Sequence, residues 1–167
     1  MEEYDDSANQ TPAYKAHMNQ DLVAFYNRLL EAERAGVQTL NDLSEKVHEQ
    51  DERDLLKKFL LDEGMNCQIL TTFIRNSGGK PTSQTGDFVD KIRALNTIDE
   101  KLRLLVRGQE WVAKYIQRNR GLPLKASDRM FLEAMKIQHE ENVDNLKRYV
   151  DSDDEAVKRG LEPTRKW

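Results

Sequence analysis

Cysteine is nearly missing from this chain of 167 residues: Cys67 stands alone, so no intramolecular disulfide and no CxxC-type zinc site can form. Its place on the apolar side of a helical pattern makes inert packing, rather than redox sensing, the expected role. No apolar run approaches the roughly 18 residues needed to cross a bilayer, and no membrane span is expected. Positive charge is not in excess either. The 26 Lys and Arg against 30 Asp and Glu give a net charge of -4, which argues against nucleic-acid and anionic-membrane partners. The opening residues, MEEYDDSANQ, are acidic where a secretory signal would be basic and then apolar, so the expected compartment is the cytoplasm. The four Pro and eight Gly fall mostly outside the periodic segments, and no segment alternates as a strand would. There is no repeat at solenoid spacing and no low-complexity segment. SGGKPTSQTG lacks P-loop spacing, which leaves turn chemistry as its account.

What the chain does have is charge of both signs, 34% of its residues, and a mean hydropathy of -0.81. Both suit a soluble domain with well-solvated helix faces. The length is close to the commonest single-domain size, enough to bury about two thirds of the unfolded surface around one core. Apolar residues recur at steps of three and four, which predicts an all-α fold with long helices at 19–47, 51–76, 97–119 and 127–150. Thr97 to Glu100 reads as a capping box, Ser127 as an N-cap, and SGGKP as the stop of the second helix. A short helix at 88–95 is expected inside the connection of about twenty residues that follows. Because the other two connections are short, the expected arrangement is a four-helix bundle running up-down-down-up. Residues 1–18 then form a partly disordered tail, 19–150 the bundle, and 151–167 a charged tail.

Each long helix carries a polar residue at the centre of its apolar face. Leu22, Tyr26, Leu29, Val37, Leu40 and Val47 all project within about 40° of Glu33. Leu56, Phe59, Cys67, Leu70 and Ile74 surround Glu63 in the same way, with Asn66 about 60° off centre. The third helix centres Gln109 and leaves Glu110 about 100° away at the edge. The fourth centres His139, with Asn142 one turn further. All four centred residues lie near the midpoints of their helices, so a bundle places them in one layer. A buried carboxylate without a partner costs several kcal/mol, and an unsatisfied amide roughly 1–3. The four must therefore satisfy one another, a metal, or a ligand.

These residues and the stretches LLEAERAG, DEGMNC, RGQEWV and HEENV resemble the ferritin-like superfamily, more narrowly a bacterial subgroup with no established activity. Over residues 20–150 the resemblance implies a bundle with a long crossover and a metal site at mid-height. Glu33 matches the ligand of the first helix, Glu63 the glutamate of the second and His139 the histidine of the fourth. The departures are equally specific: Asn66 stands where a histidine is expected, Lys136 where a glutamate is expected, and Gln109 at the centre of the third helix. Two carboxylates and one imidazole are too few for an ordinary di-iron centre.

Three readings follow. Glu33, Glu63 and His139 bind a single Fe, Mn or Zn ion, with Glu110 able to rotate in and Asn66, Gln109 and Asn142 as supporting donors. Alternatively, the same groups form a closed hydrogen-bond network without metal, in a structural or interaction role. The third reading is a small-molecule or acid/base site built on the Glu–His pair. A separate signal concerns assembly: Leu61, Met65 and Ile69, and Leu104, Trp111 and Tyr115, make second apolar stripes on two helices. Such a surface needs a cover, either the crossover segment with Phe88, Val89, Ile92 and Leu95 or a second subunit in a homodimer.

Overall fold

Five helices and no strand make up residues 11–150, the part of the chain described by a computed structural model. The first, α1 (Pro12–Ser44), starts well before 19 because Thr11 caps it. The Thr11 hydroxyl accepts from the Tyr14 N–H at 3.2 Å, and Pro12 supplies a preset φ at the first turn. Residues 12–17 are exposed, so they carry no apolar periodicity that would have revealed this turn. Part of the expected 1–18 tail is thus helix. The rest of that tail, 1–10, and the expected charged tail at 151–167 lie outside the described residues.

Helix α2 (Gln50–Asn76) closes on the glycine signal as expected, with Gly78 at φ 77°, a left-handed turn that favours glycine. The short α3 (Phe88–Arg93) lies in the crossover. Helix α4 (Ile98–Arg118) opens on the complete capping box: Thr97 Oγ1 accepts from the Glu100 N–H, and Glu100 accepts from the Thr97 N–H at 2.9 Å. Helix α5 (Ala126–Leu146) corrects two expectations. Its N-cap is Lys125, without a side-chain bond, and Ser127 sits inside the first turn. The helix also stops at Leu146, not 150, and turn bonds such as Tyr149 N–H to Leu146 C=O follow. Likewise α1 ends at Ser44 instead of 47, although Val47 stays buried.

Five residues join α1 to α2 and seven join α4 to α5, and within each pair the helices pack most closely. The α3 segment rests on α1 and α4. Buried apolar side chains fall into two clusters. One gathers Phe25, Leu29, Leu70, Ile116, Leu132 and Met135; the other gathers Leu40, Leu56, Phe59, Leu105, Val143 and Leu146. In every long helix the centred polar residue sits between the two clusters, so the core is divided by a polar stratum. The second stripes end up differently. On α4, Leu104 is buried, Tyr115 packs 5.5 Å from Phe25, and Phe88 lies against Gly108. On α2, Leu61 and Met65 are 71% and 60% exposed. No described helix is long and apolar enough to cross a membrane.

Candidate functional site

Helical spacing delivers the four centred residues to one place. Glu33, Glu63, Asn66, Gln109, His139 and Asn142 are each at most 4% exposed. Glu33 of α1 accepts from Asn66 Nδ2 of α2 at 2.9 Å through Oε2, while its Oε1 lies 3.0 Å from His139 Nε2 of α5. Glu63 of α2 accepts from Gln109 Nε2 of α4 at 2.6 Å, and Gln109 in turn accepts from Asn142 Nδ2 at 3.0 Å. All six expected members of the layer are therefore in contact with another member.

Glu110, the remaining candidate, stays at the edge and lies 3.7 Å from Lys147. Lys136, standing where a glutamate was expected, turns away from the layer to Glu140 and Glu133 at 3.2 and 3.5 Å. Cys67 is half-buried, and burial, followed by the negative charge of Glu33 and Glu63, pushes its thiol up to about 12. That shift favours the thiol over the reactive thiolate at neutral pH.

Two participants escaped the helical arithmetic. Gln138 accepts a second bond from Asn66 Nδ2 at 2.9 Å; it lies about 100° from His139 on α5, outside the apolar face. Gly36 is the other. A Cβ added there would fall inside the Glu63 carboxylate, so α1 admits the Glu63 side chain against its backbone only because this position lacks one. A lone glycine one turn from Glu33 in an otherwise regular helix was the available sign.

The Glu33–His139 contact sets the electrostatics. Met135 C=O is 2.8 Å from His139 Nδ1 and accepts its proton, which leaves Nε2 facing Glu33. Burial works against the imidazolium, but the Glu33 carboxylate outweighs it, with help from Glu63 and the Met135 carbonyl, and the ring rises to about 9. Glu63 is held up at about 8, first by burial and then by repulsion from Glu33, against the opposing pull of His139 and Gln109. Near neutral pH both groups are thereby pushed toward their protonated forms, His139 by the facing Glu33 and Glu63 by its burial.

Both shifts are upward, so both groups hold protons in the folded state that they release when unfolded. The sign follows from linkage: stability is full below the unfolded values and is lost as pH rises through the folded ones. For Glu63 the loss runs from its ordinary 4.5 to about 8, and for His139 from 6.5 to about 9. Urea midpoints are expected to fall steadily between pH 5 and 9, and Glu63→Gln to remove the lower part of that slope. A wild-type profile flat across this range would contradict the proton assignment.

The ferritin-like resemblance implies a metal, and the donor set can be tested for one. His139 Nε2 and Glu33 Oε1 are ligand-type atoms that lack a hydrogen-bond partner apart from their charged contact with each other. Glu63, the third ligand-type side chain, is turned to Gln109. Among the described residues no three His, Cys, Asp or Glu side chains are grouped to hold an ion. The residues as arranged do not fit a di-iron centre. They supply two of the three donors that a single ion would need from this set.

Residues 20–148 match the model of a family described as a domain of unknown function, DUF6306. No curated protein and no solved structure matches the chain.

Proposed function

The chain belongs to the DUF6306 family, a domain of unknown function, and from its own residues we propose that it is a ferritin-like, up-down-down-up four-helix bundle whose metal centre has been replaced by a metal-independent hydrogen-bond network. One observation carries this reading: Asn66 and Gln109, the residues that depart from the ligand pattern, each direct an amide N–H at a carboxylate, Glu33 and Glu63. For Glu33 the Asn66 amide and the His139 ring, and for Glu63 the Gln109 amide and a retained proton, do what a cation would do. The role is structural, since the Gln109–Glu63 bond and the Glu33–His139 contact join one helix pair to the other and fix their register.

A second reading rests on a specific observation of its own. Glu33 Oε1 and His139 Nε2 are buried, adjacent and without other partners. A single Fe, Mn or Zn ion held by Glu33, His139 and a turned Glu63 would satisfy both. As Lewis acid, such an ion would take the place of the two protons on His139 and Glu63. The acid/base reading has less support, because the cleft between α1 and α4 and three further clefts among the described residues are lined by none of Glu33, Glu63 and His139.

Elemental analysis of native protein, paired with melting curves, separates the first two. The network predicts substoichiometric metal and a melting temperature that Mn, Fe or Zn moves by less than about 2 °C. Near-stoichiometric metal that His139→Ala removes would overturn it in favour of the ion.

A further inference from the structure

Folding covers one of the two surplus apolar stripes and leaves the other bare. On α4 the stripe is closed from within the chain: Trp111 stacks on Tyr115 at 4.8 Å, the Arg28 guanidinium lies 5.2 Å from its ring, and the crossover brings Phe88 against Gly108. On α2 nothing comparable happens. The crossover helix α3 rests on α1 and α4 and does not reach α2, so Leu61 and Met65 stay 71% and 60% exposed. The exposed large apolar side chains among the described residues are Tyr14 on α1 and Leu61, Met65, Met130 and Ile137 on α2 and α5. These last two helices are neighbours, joined by the Asn66–Gln138 bond and by the Phe73 and Phe131 rings at 5.4 Å. Apolar exposure gathered on one side of a molecule marks a contact surface.

The order of residues along α2 says what that surface fits. Asp54, Leu61, Met65, Ile69 and Arg75 all project within about 60° of the direction opposite Glu63. Leu61 and Ile69 lie about 6 Å to either side of Met65, and Asp54 and Arg75 about 16 and 15 Å to either side. Asp54 and Arg75 are exposed, and neither has an ion-pair partner among the described residues; Asp54 accepts a bond from Gln50. The stripe is therefore complementary to itself. Turned by 180° about Met65, a second α2 lays its Ile69 on Leu61 and its Arg75 on Asp54, and each contact occurs twice. Lys58, already paired with Asp62 at 3.0 Å, falls opposite Thr72 and meets no like charge. A parallel pairing would instead set Asp54 against Asp54 and Arg75 against Arg75.

We propose that the chain forms a homodimer through α2, packed antiparallel on the α2 of a second copy with Met65 at the two-fold axis. The apolar centre supplies the attraction, and the charges at the two ends select the antiparallel sense. Such a contact uses the same patch on both copies and closes at two. The stripe points away from Glu63, so the assembly holds whether or not the polar layer takes a metal.

Sedimentation equilibrium over a concentration series reads this directly. The full chain is expected to sediment at twice its 19.4 kDa mass, with a Kd below about 10 µM. Met65→Glu brings two carboxylates together on the axis and is expected to weaken association at least about a hundredfold, with unchanged helicity confirming that this exposed substitution leaves the fold intact. Asp54→Arg and Arg75→Asp each set like charges against one another at both ends and are expected to weaken it about fivefold or more. Combined in one chain they restore opposite charges, and the double variant is expected to regain the wild-type Kd, a rescue that only the antiparallel sense predicts. A monomer throughout the series, a dimer indifferent to Met65→Glu, or a double variant no stronger than its single parents would overturn the assignment.

Discussion

Replacing His139 by alanine is expected to lower the unfolding free energy by about 3–5 kcal/mol, the usual cost of breaking a buried ion pair from one side. The reason is what stays behind. Glu33 Oε1 faces His139 Nε2 at 3.0 Å and has no hydrogen-bond partner to fall back on, so the variant buries a carboxylate oxygen against an empty space. With about 2–4 °C lost per kcal/mol at this chain length, calorimetry would read a drop on the order of 10 °C. The companion variant decides the cause. Glu33→Met combined with His139→Leu removes both charges while keeping volume, and is expected to return most of the stability, because well-packed apolar side chains often match or exceed a buried pair. A double variant as unstable as His139→Ala would mean that the loss came from packing rather than from the abandoned charge.

Gly36→Ala is expected to cost about 1–3 kcal/mol, and more if the Glu63 bond breaks with it. Adding a methyl group in a helix interior ordinarily stabilises, since alanine is the better helix former by about 1 kcal/mol. Here the sign reverses because the methyl would occupy the place of the Glu63 carboxylate, which is 1% exposed and held by Gln109. Shortening the acid relieves the clash, so Gly36→Ala with Glu63→Asp should be more stable than the sum of the two single effects predicts. Urea titrations of the four proteins form a double-mutant cycle. A coupling energy near zero would show that Glu63 retreats freely and that the close approach carries no constraint.

Much of this was written in periodicity. The central residues of the long helices follow from steps of three and four, and so does the meeting of Glu33, Glu63, Gln109 and His139, because each helix turns its centred position toward the same interior. The capping box at Thr97 was legible because its two bonds are local. What escaped has physical causes just as definite. Residues 12–17 form an exposed turn with no apolar side, so only the Thr11–Pro12 pair could have betrayed it. Ser127 looked like a cap, but a serine binds the helix start only if the backbone leaves the helix at that residue, and here it does so at Lys125. Gln138 joins through a long side chain reaching round from the flank of α5, which a wheel of Cβ directions does not capture. The proton inventory of the layer depends on distances between helices that are far apart in sequence, and no pattern within one helix contains them.

The contacts that cross between the two helix pairs also bear on how the chain folds. Within each pair, neighbours are joined by five or seven residues, so their contacts close quickly, as low contact order implies. Glu33–His139, Asn66–Gln138 and Gln109–Glu63 all run from α1 or α2 to α4 or α5, and they can form only after the crossover has brought the pairs together and water has left between them. The cross-pair contacts of the polar layer are accordingly expected to form late. Chevron analysis of His139→Ala is then expected to show a nearly unchanged folding rate and faster unfolding, the pattern of a contact that forms after the transition state. On that expectation the cross-pair contacts act on the lifetime of the native state more than on the rate of reaching it.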